Sequence, residues 1–334
     1  MKQFDMVSVG SALRDVMFYS DQFLVIRNPK HNDPTVQRLM CSEYGAKIRS
    51  NRVFFMFGGG AANVAINCAG LGLKTGIITA IGHDDIDAQA ILQQMDKSGI
   101  DSSFIQRTKR FGTGFSFLAI DERTGEHVAY IYYGASQDIF LPASTIQQFE
   151  TKWFYIASLN TKQWKEALQV LFTKHNSAIA WNPGNVQLQS GYRGLRQFLK
   201  KTDILILNKD EATELVFSHQ HHQQRMSIPQ MMTAIYGFGP QIVVITDARN
   251  GSYAFDGKKQ YSTKSVSKKK PLDTTGAGDC YGSSFVAGII RYNGNIEKSM
   301  KLASKNAASL VQHIGAQNGL LQWKDLPKNL QRSV

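Results

Sequence analysis

Apolar residues along this chain fall into short blocks, each closed by a small or polar residue. Phe4–Val9 is such a run, closed by Gly10, and reads as a buried first strand. Runs at Thr75–Ile81, Trp153–Ala157, Ala178–Trp181, Ile204–Leu207 and Gln241–Thr246 predict further strands. Helical spacing lies between several of them, over Lys162–His175 and over residues 229–238. Gly58–Gly72 is dense in glycine and alanine and predicts a glycine turn opening a tightly packed helix. The last third predicts two helices, Cys280–Tyr292 and Ile296–His313. Strands separated by helices make βαβ units, hence a mostly parallel sheet covered on both faces.

Two segments break the rhythm. Residues 113–133 place two β-rich runs around a polar ERTGE turn, the form of a hairpin. Residues 27–52 are polar and carry two prolines, and read as a loop or extended excursion from the main body.

Composition narrows the class. The chain has 334 residues, 43% hydrophobic and 19% charged, enough apolar material for one large or two ordinary domains and too much for disorder. The formal net charge of +12 raises the expectation of an anionic partner: a nucleotide, a phosphorylated metabolite, nucleic acid or a membrane surface. No apolar stretch approaches the roughly 20 residues of a membrane span. The first residues lack a secretory pattern. Cys41, Cys68 and Cys280 are too scattered for a disulfide framework or a zinc site. These features predict a soluble, cytoplasmic protein. No basic run alternates with aromatics, so nucleic acid is set aside as a partner. The HQHH tract at 219–222 has no Cys or carboxylate at ligand spacing and reads as a solvated loop. Lys268-Lys269-Lys270 is read the same way. Trp153, Trp164 and Trp181 are expected in the core or its rim, and Cys280 as a small buried residue.

The chemistry concentrates in Asp273-Thr274-Thr275-Gly276-Ala277-Gly278-Asp279, which runs into a helix. Gly276 and Gly278 permit a tight turn with its N–H groups aligned, and the helix start adds its positive dipole end. Together they predict an anion hole for phosphate. Asp279 sits where loop meets helix and can accept the proton of an attacking hydroxyl. An aspartate there can equally be a helix cap; the whole seven-residue string favours the base. It is neither a P-loop nor a dinucleotide fingerprint, because no lysine follows the glycines and only Gly10 follows the first strand. The second segment is Gly58-Gly59-Gly60-Ala61-Ala62-Asn63-Val64-Ala65. Its glycines let backbone pass close to a ligand. Asn63, one turn into the helix, can donate and accept at once, as a polyol needs.

In this order the two segments resemble the N-terminal Gly-Gly motif and C-terminal DTxGAGD motif of the ribokinase-like carbohydrate kinases, the PfkB family. The resemblance runs over nearly the whole chain. It implies a three-layer α/β/α sandwich with a central, mostly parallel sheet. A small β lid would be built from excursions at about residues 14–57 and 106–136. It implies ATP as phosphoryl donor, Mg²⁺ as cofactor, a sugar or nucleoside acceptor, and a homodimer formed through the lid. Asp279 would be the base, and Gly276, Ala277 and Gly278 the anion hole. Asp15, Gly59, Gly60 and Asn63 would bind the acceptor.

Asn208-Lys-Asp-Glu211 is similar to the family's NxxE motif, with Asn208 near the phosphates and Glu211 reaching Mg²⁺ through water. The same pair also outlines a capping box. Thr246 to Gly251 would lie at the nucleotide. Asp273 and Thr275, with carbonyls around Gly315 of a Gly315-Ala316-Gln317 turn, would make a K⁺ site. The sequence departs from the pattern at Gly60-Ala61, where ribokinases often carry lysine, and at Thr246-Asp247-Ala248, where glycine is usual. Alanine resists positive φ there, which implies an altered backbone. Asn182-Pro183-Gly184 resembles a segment of nucleoside-phosphorylating members, so a nucleoside kinase is the second reading. A non-catalytic nucleotide or nucleic-acid binder is the third.

Overall fold

The structure, a computed structural model, describes residues 1–28, 38–173, 176–219, 226–266 and 269–331. His175, Lys268 and residues 220–222 of the histidine tract lie outside them.

One nine-stranded sheet organises the chain. From one edge its strands are Gln260–Thr263, Ser252–Phe255, Ile242–Thr246, Ile204–Asn208, Ala178–Trp181, Phe149–Ile156, Lys2–Val9, Thr75–Gly82 and Ile105–Thr108. All neighbours from Ile242–Thr246 to Ile105–Thr108 pair in parallel, and the two strands at the other edge pair antiparallel. Side-chain alternation sends Val7, Val9, Phe154, Ile156, Leu205 and Leu207 into one core. Met6, Tyr155, Ile204, Ile206 and Val244 enter a second core on the opposite face. A sheet buried on both faces needs apolar residues at every position, which is why these strands read as unbroken apolar runs. Helices Trp164–Leu171, Gly191–Leu199, Lys209–Phe217 and Ile228–Tyr236 supply residues to the first core. Helices Gly60–Gly70, Ala277–Arg291 and Ile296–Leu310 supply the second. Among the described residues no helix is long and apolar enough to cross a membrane.

A second, four-stranded sheet stands apart, ordered Arg52–Gly58, Leu13–Ser20, Gly114–Asp121, His127–Tyr132. The last two strands form the expected antiparallel hairpin. Leu13–Ser20 pairs in parallel with Gly114–Asp121 and antiparallel with Arg52–Gly58. Two expectations need correction. Residues 106–108 belong to the large sheet, paired with Ala80–Gly82, so the second excursion leaves the body only after Thr108. The polar stretch near residue 27 is flanked by strands, Leu24–Arg27 paired with Arg38–Cys41. Leu24, Val25, Ile26 and Leu39 are exposed, so this ribbon has no buried face to leave an alternating trace.

Buried polar bonds fix the helices of the second core. Asn306 Nδ2 donates to Asn67 Oδ1 (2.7 Å) and Ser284 Oγ (2.9 Å), and its Oδ1 accepts from the Leu321 N–H (2.8 Å). Asn67 Nδ2 donates in turn to Ser283 Oγ (2.7 Å) and Ser284 Oγ (2.9 Å). Asn306→Leu would strand both Asn67 Oδ1 and the Leu321 N–H, each at a cost of about 1–3 kcal/mol. The expected loss is about 2–4 kcal/mol, read from the urea midpoint; a midpoint within error of the parent refutes the account.

Candidate active site

In an open parallel sheet, ligands bind beyond the carboxyl ends of the strands. Both glycine-rich segments lie at that edge, and its backbone explains their composition. Gly59 has φ 92°, and a Cβ there would stand 2.6 Å from the Ser11 carbonyl oxygen, so no other residue fits. The turn clasps the end of the first strand: Ala61 N–H donates to Ser11 O (3.0 Å) and Gly60 N–H to Ser11 Oγ (3.2 Å). This sets Gly60 against Ala157, with its Cβ position 3.7 Å from Asp279 Oδ1.

The other loop turns at Gly276, φ 73°, whose Cβ position lies 2.5 Å from Ala316 Cβ. The Ala277–Arg291 helix starts immediately after. Around the Cβ position of Gly278 there is open space for 4 Å. Among the described residues the N–H groups of Gly278 and Asp279 have no acceptor in the chain. These are the unsatisfied donors at the positive end of a helix, the elementary requirement for an anion site.

Asp279 is partly buried, and its Oδ2 accepts from Asn63 Nδ2 at 2.8 Å. Burial pushes its carboxyl up to about 6; the Asn63 bond opposes this, and the negative charge of Asp15 adds to it. Asp15, buried on the four-stranded sheet, accepts from Ser116 Oγ at 2.5 Å. Burial raises it to about 6 as well, against the Ser116 bond and with a contribution from Asp273. Gly58 lies against it: a Cβ there would fall 2.0 Å from Asp15 Oδ2. Two carboxylates of raised proton affinity thus lie within electrostatic reach of each other.

Other candidates are placed as follows. Asn208 caps its helix: its Oδ1 accepts from Glu211 N–H, and Glu211 Oε2 accepts from Asn208 N–H, both at 2.8 Å. The capping box is therefore real. Burial raises the Glu211 carboxyl, against the Asn208 bond and helped by Glu214, Asp279 and Asp210. Thr246 stands opposite Asn208 on the neighbouring strand, at the same edge. Gly251 is buried at φ 106°, its Cβ position 2.1 Å from Thr263 O, so packing against the neighbouring strand already excludes a side chain there. Ala248 adopts φ 45°, so alanine accepts the conformation it was expected to resist. Asp247 does not stand as a lone negative charge, because Lys209 Nζ lies 3.3 Å from its Oδ2. Trp181 is fully buried and offers no face to a base, Trp164 is buried too, and Cys280 is buried with its thiol pushed far up by desolvation.

Asp273, Thr275 and Gly315 are together, and their bonding explains why. Asp273 Oδ1 accepts from the Thr275 hydroxyl (2.8 Å) and N–H (2.9 Å), and Oδ2 accepts from the Gly315 N–H (2.7 Å). Both oxygens brace the turn, so a monovalent ion is not needed to account for the arrangement. Asn63 is also more committed than expected. Its Oδ1 accepts from Gln317 Nε2 (2.9 Å) while its amide faces Asp279, which makes it a partner of that carboxylate before it is a partner of any polyol. Ser11, Ser116 and Gln94 escaped sequence reading, and Gln317 entered it only as part of a turn.

The sequence model of the pfkB family carbohydrate kinases matches residues 4–323. The chain belongs to this family. It is a phosphotransferase of the ribokinase type. Its relatives include a Staphylococcus aureus ribokinase, 28% identical over 78% of this chain and 84% of its own length. Two solved structures share the fold at TM-score 0.78. One is Arabidopsis thaliana ribokinase complexed with ribose and ATP, 20% identical with all of both chains covered. The other is Burkholderia thailandensis nucleoside kinase in complex with inosine, 16% identical with 97% of each chain covered.

For this pfkB-family site, the raised carboxyls carry a sign. Asp279 and Asp15 bind protons more tightly folded than unfolded, so turnover should fall as pH drops through about 6, more steeply than one ionisation allows. Asp279→Asn should cut turnover ~10²–10⁴-fold. It should also raise Tm above pH 6, where the parent holds a buried charge, with the gain shrinking toward pH 4 as both parent states become neutral. A Tm gain independent of pH contradicts the assignment.

Proposed function

We propose that the protein transfers the γ-phosphoryl group of ATP to a hydroxyl of a sugar or sugar-like polyol, in the cytoplasm. The observation that carries this reading is the juxtaposition at the start of the Ala277–Arg291 helix. There, a carboxylate held by Asn63 stands beside two unpartnered backbone N–H groups. Asp279 takes the proton of the acceptor hydroxyl. The N–H groups of Gly278 and Asp279, with the helix dipole behind them, hold the phosphate oxygens as charge shifts during transfer. The transition state is loose, so position and charge neutralisation provide most of the rate.

Asp15 holds the acceptor from the opposite side. With Oδ1 on Ser116, its other oxygen is left to accept from substrate hydroxyls, and the small sheet acts as a lid over the cleft. Gly59 and Gly60 let the sugar lie against backbone. Thr246 and Asn208 sit on the nucleotide side. Mg²⁺ would neutralise the phosphates. Such an ion keeps several waters and takes phosphate oxygens. Glu211 is the carboxylate to hold such waters, its remaining oxygen lying in the negative field of Asp279, Glu214 and Asp210.

The second reading, a nucleoside kinase, draws on the inosine-bound structural relative. The Asn182-Pro183-Gly184 segment does not itself strengthen it. Asn182 Nδ2 donates to Ile206 O (3.0 Å), and Gly184 N–H donates to Gln187 Oε1 (3.1 Å), so the segment is bound into the scaffold.

The test is ADP release from ATP across a panel of pentoses, hexoses, related acids and nucleosides. A polyol should be turned over fastest, and Asp15→Asn should raise its KM at least ~10-fold, as loss of a charge-assisted bond of ~1.5–3 kcal/mol requires. The ATP KM should stay within a few-fold. Preference for a nucleoside, or an acceptor KM unchanged in Asp15→Asn, defeats the reading.

We also propose a homodimer through the lid. Its outward face carries Phe55, Phe115, Tyr130 and Tyr132, all exposed, on adjoining strands. Light scattering should report a dimer that Phe55→Lys with Tyr130→Lys converts to a monomer; a monomeric parent refutes it.

A further inference from the structure

A line of side-chain amides runs into the proposed base. Gln94 Nε2 donates to Gln317 Oε1 at 2.5 Å. Gln317 Nε2 donates to Asn63 Oδ1 at 2.9 Å, and Asn63 Nδ2 donates to Asp279 Oδ2 at 2.8 Å. The four residues come from the Ile86–Lys97 helix, the Gly315-Ala316-Gln317 turn, the Gly60–Gly70 helix and the Ala277–Arg291 helix. Only one member is ionised, and an ionised carboxylate only accepts. That fact polarises the whole line, because each amide must point its nitrogen toward Asp279. The far end bears the cost: Gln94 Oε1 is buried with no hydrogen-bond partner among the described residues.

We infer that Gln317, backed by Gln94, is a positioning residue that holds the Asn63 amide with its N–H on Asp279. This inference rests on the reading of Asp279 as the base. Alone, an asparagine amide can turn over and present its oxygen, which would repel the carboxylate. A second acceptor at Asn63 Oδ1 would make the turned state as comfortable as the first. A donor there, Gln317 Nε2, makes it worse on both sides: oxygen would face Asp279, and two nitrogens would meet at Gln317. The orientation of the proposed base is thus set by a residue whose own bonds go to Asn63 and Gln94. The Gly315 turn carrying Gln317 is itself fixed by the Asp273 bond and by Ala316 against Gly276. Anion loop and base are therefore held by one short segment.

Gln317→Met keeps length and removes both bonds; Gln317→Glu keeps shape but places an acceptor against Asn63 Oδ1. In ¹⁵N-labelled protein the Asn63 side-chain amide, assigned by its absence from Asn63→Ala, should exchange slowly in the parent. It should exchange at least ~10-fold faster in Gln317→Met, as a freed hydrogen-bonded group does. Turnover should fall ~10-fold in Gln317→Met and further in Gln317→Glu, with both KM values within two-fold of the parent. In the Asn63→Ala background, Gln317→Met should change nothing more, since the two act in series. Gln94→Met should give a smaller effect of the same kind, and serves if the Gln317 variants do not fold. An unchanged Asn63 amide in Gln317→Met, or an equal loss of turnover in both backgrounds, overturns the inference. Should no acceptor be phosphorylated, the kinase reading fails while the amide measurement still decides this one.

Discussion

Everything at this site depends on how closely two helices approach. Gly60–Gly70 and Ala277–Arg291 carry the two motifs and must pack near enough for a short asparagine to reach a short aspartate. On the first helix Asn63, Val64, Asn67 and Cys68 face the second, where the small residues Ser283, Ser284 and Ala287 make that distance available, all buried. The register is fixed twice. Asn63 meets Asp279, and one turn along each helix Asn67 meets Ser283. Residues four apart share a helix face, so a slip of one position would break both bonds together. Asn306 ties the lower bond to a third helix, so the spacing is set by buried polar pairing as well as by packing.

A second constraint joins parts that are far apart in sequence. Gly315 donates to Asp273 at the root of the anion loop, Ala316 fills the space beside Gly276, and Gln317 reaches Asn63. On the other side Met56, from the lid, lies over Gly315: a Cβ there would be 1.9 Å from its Sδ. Ile314 and Met56 both pack with Met17, Tyr19, Leu118 and Ile120 of the lid. The strand that bears Asp15 and the loop that bears Asp279 thus share one support. That strand and that loop cannot shift independently without disturbing these contacts.

The sheet was legible because burial on both faces leaves apolar runs that need no partner information, and the turn before the Ala277–Arg291 helix because one of its glycines is demanded by local backbone geometry. Gly276 needs positive φ, and Gly278 faces open space. The exposed ribbon of Leu24–Arg27 and Arg38–Cys41 left no pattern, having no buried side. Glycine is permissive for several reasons, and at Gly251 a neighbouring strand supplies one that the sequence alone did not show. Asn63 was visible as a polar residue in the right helix, but its direction was not. That depends on Gln317, some 250 positions away, and on which of its atoms faces which neighbour. Pairing across such distance is a property of the fold alone.

The electrostatics of the cleft explain why its parts are braced so heavily. Asp15 and Asp279 are both desolvated and each is raised by a nearby negative charge, so their ionised forms are disfavoured relative to those of surface carboxylates. A lone carboxylate in such surroundings would relax by moving toward water. Ser116 and Asn63 each contribute one hydrogen bond, enough to hold the group in place without cancelling its appetite for a further donor. On the proposed reading, a hydroxyl brought between them would satisfy that need, and the tighter hold on protons would make Asp279 a better acceptor than an ordinary surface aspartate. Over-stabilising either carboxylate would make a firmer protein and a poorer base. The rigid polar scaffold behind Asn63 lets the site keep two incompletely satisfied charges in fixed positions, which is the arrangement proton removal requires.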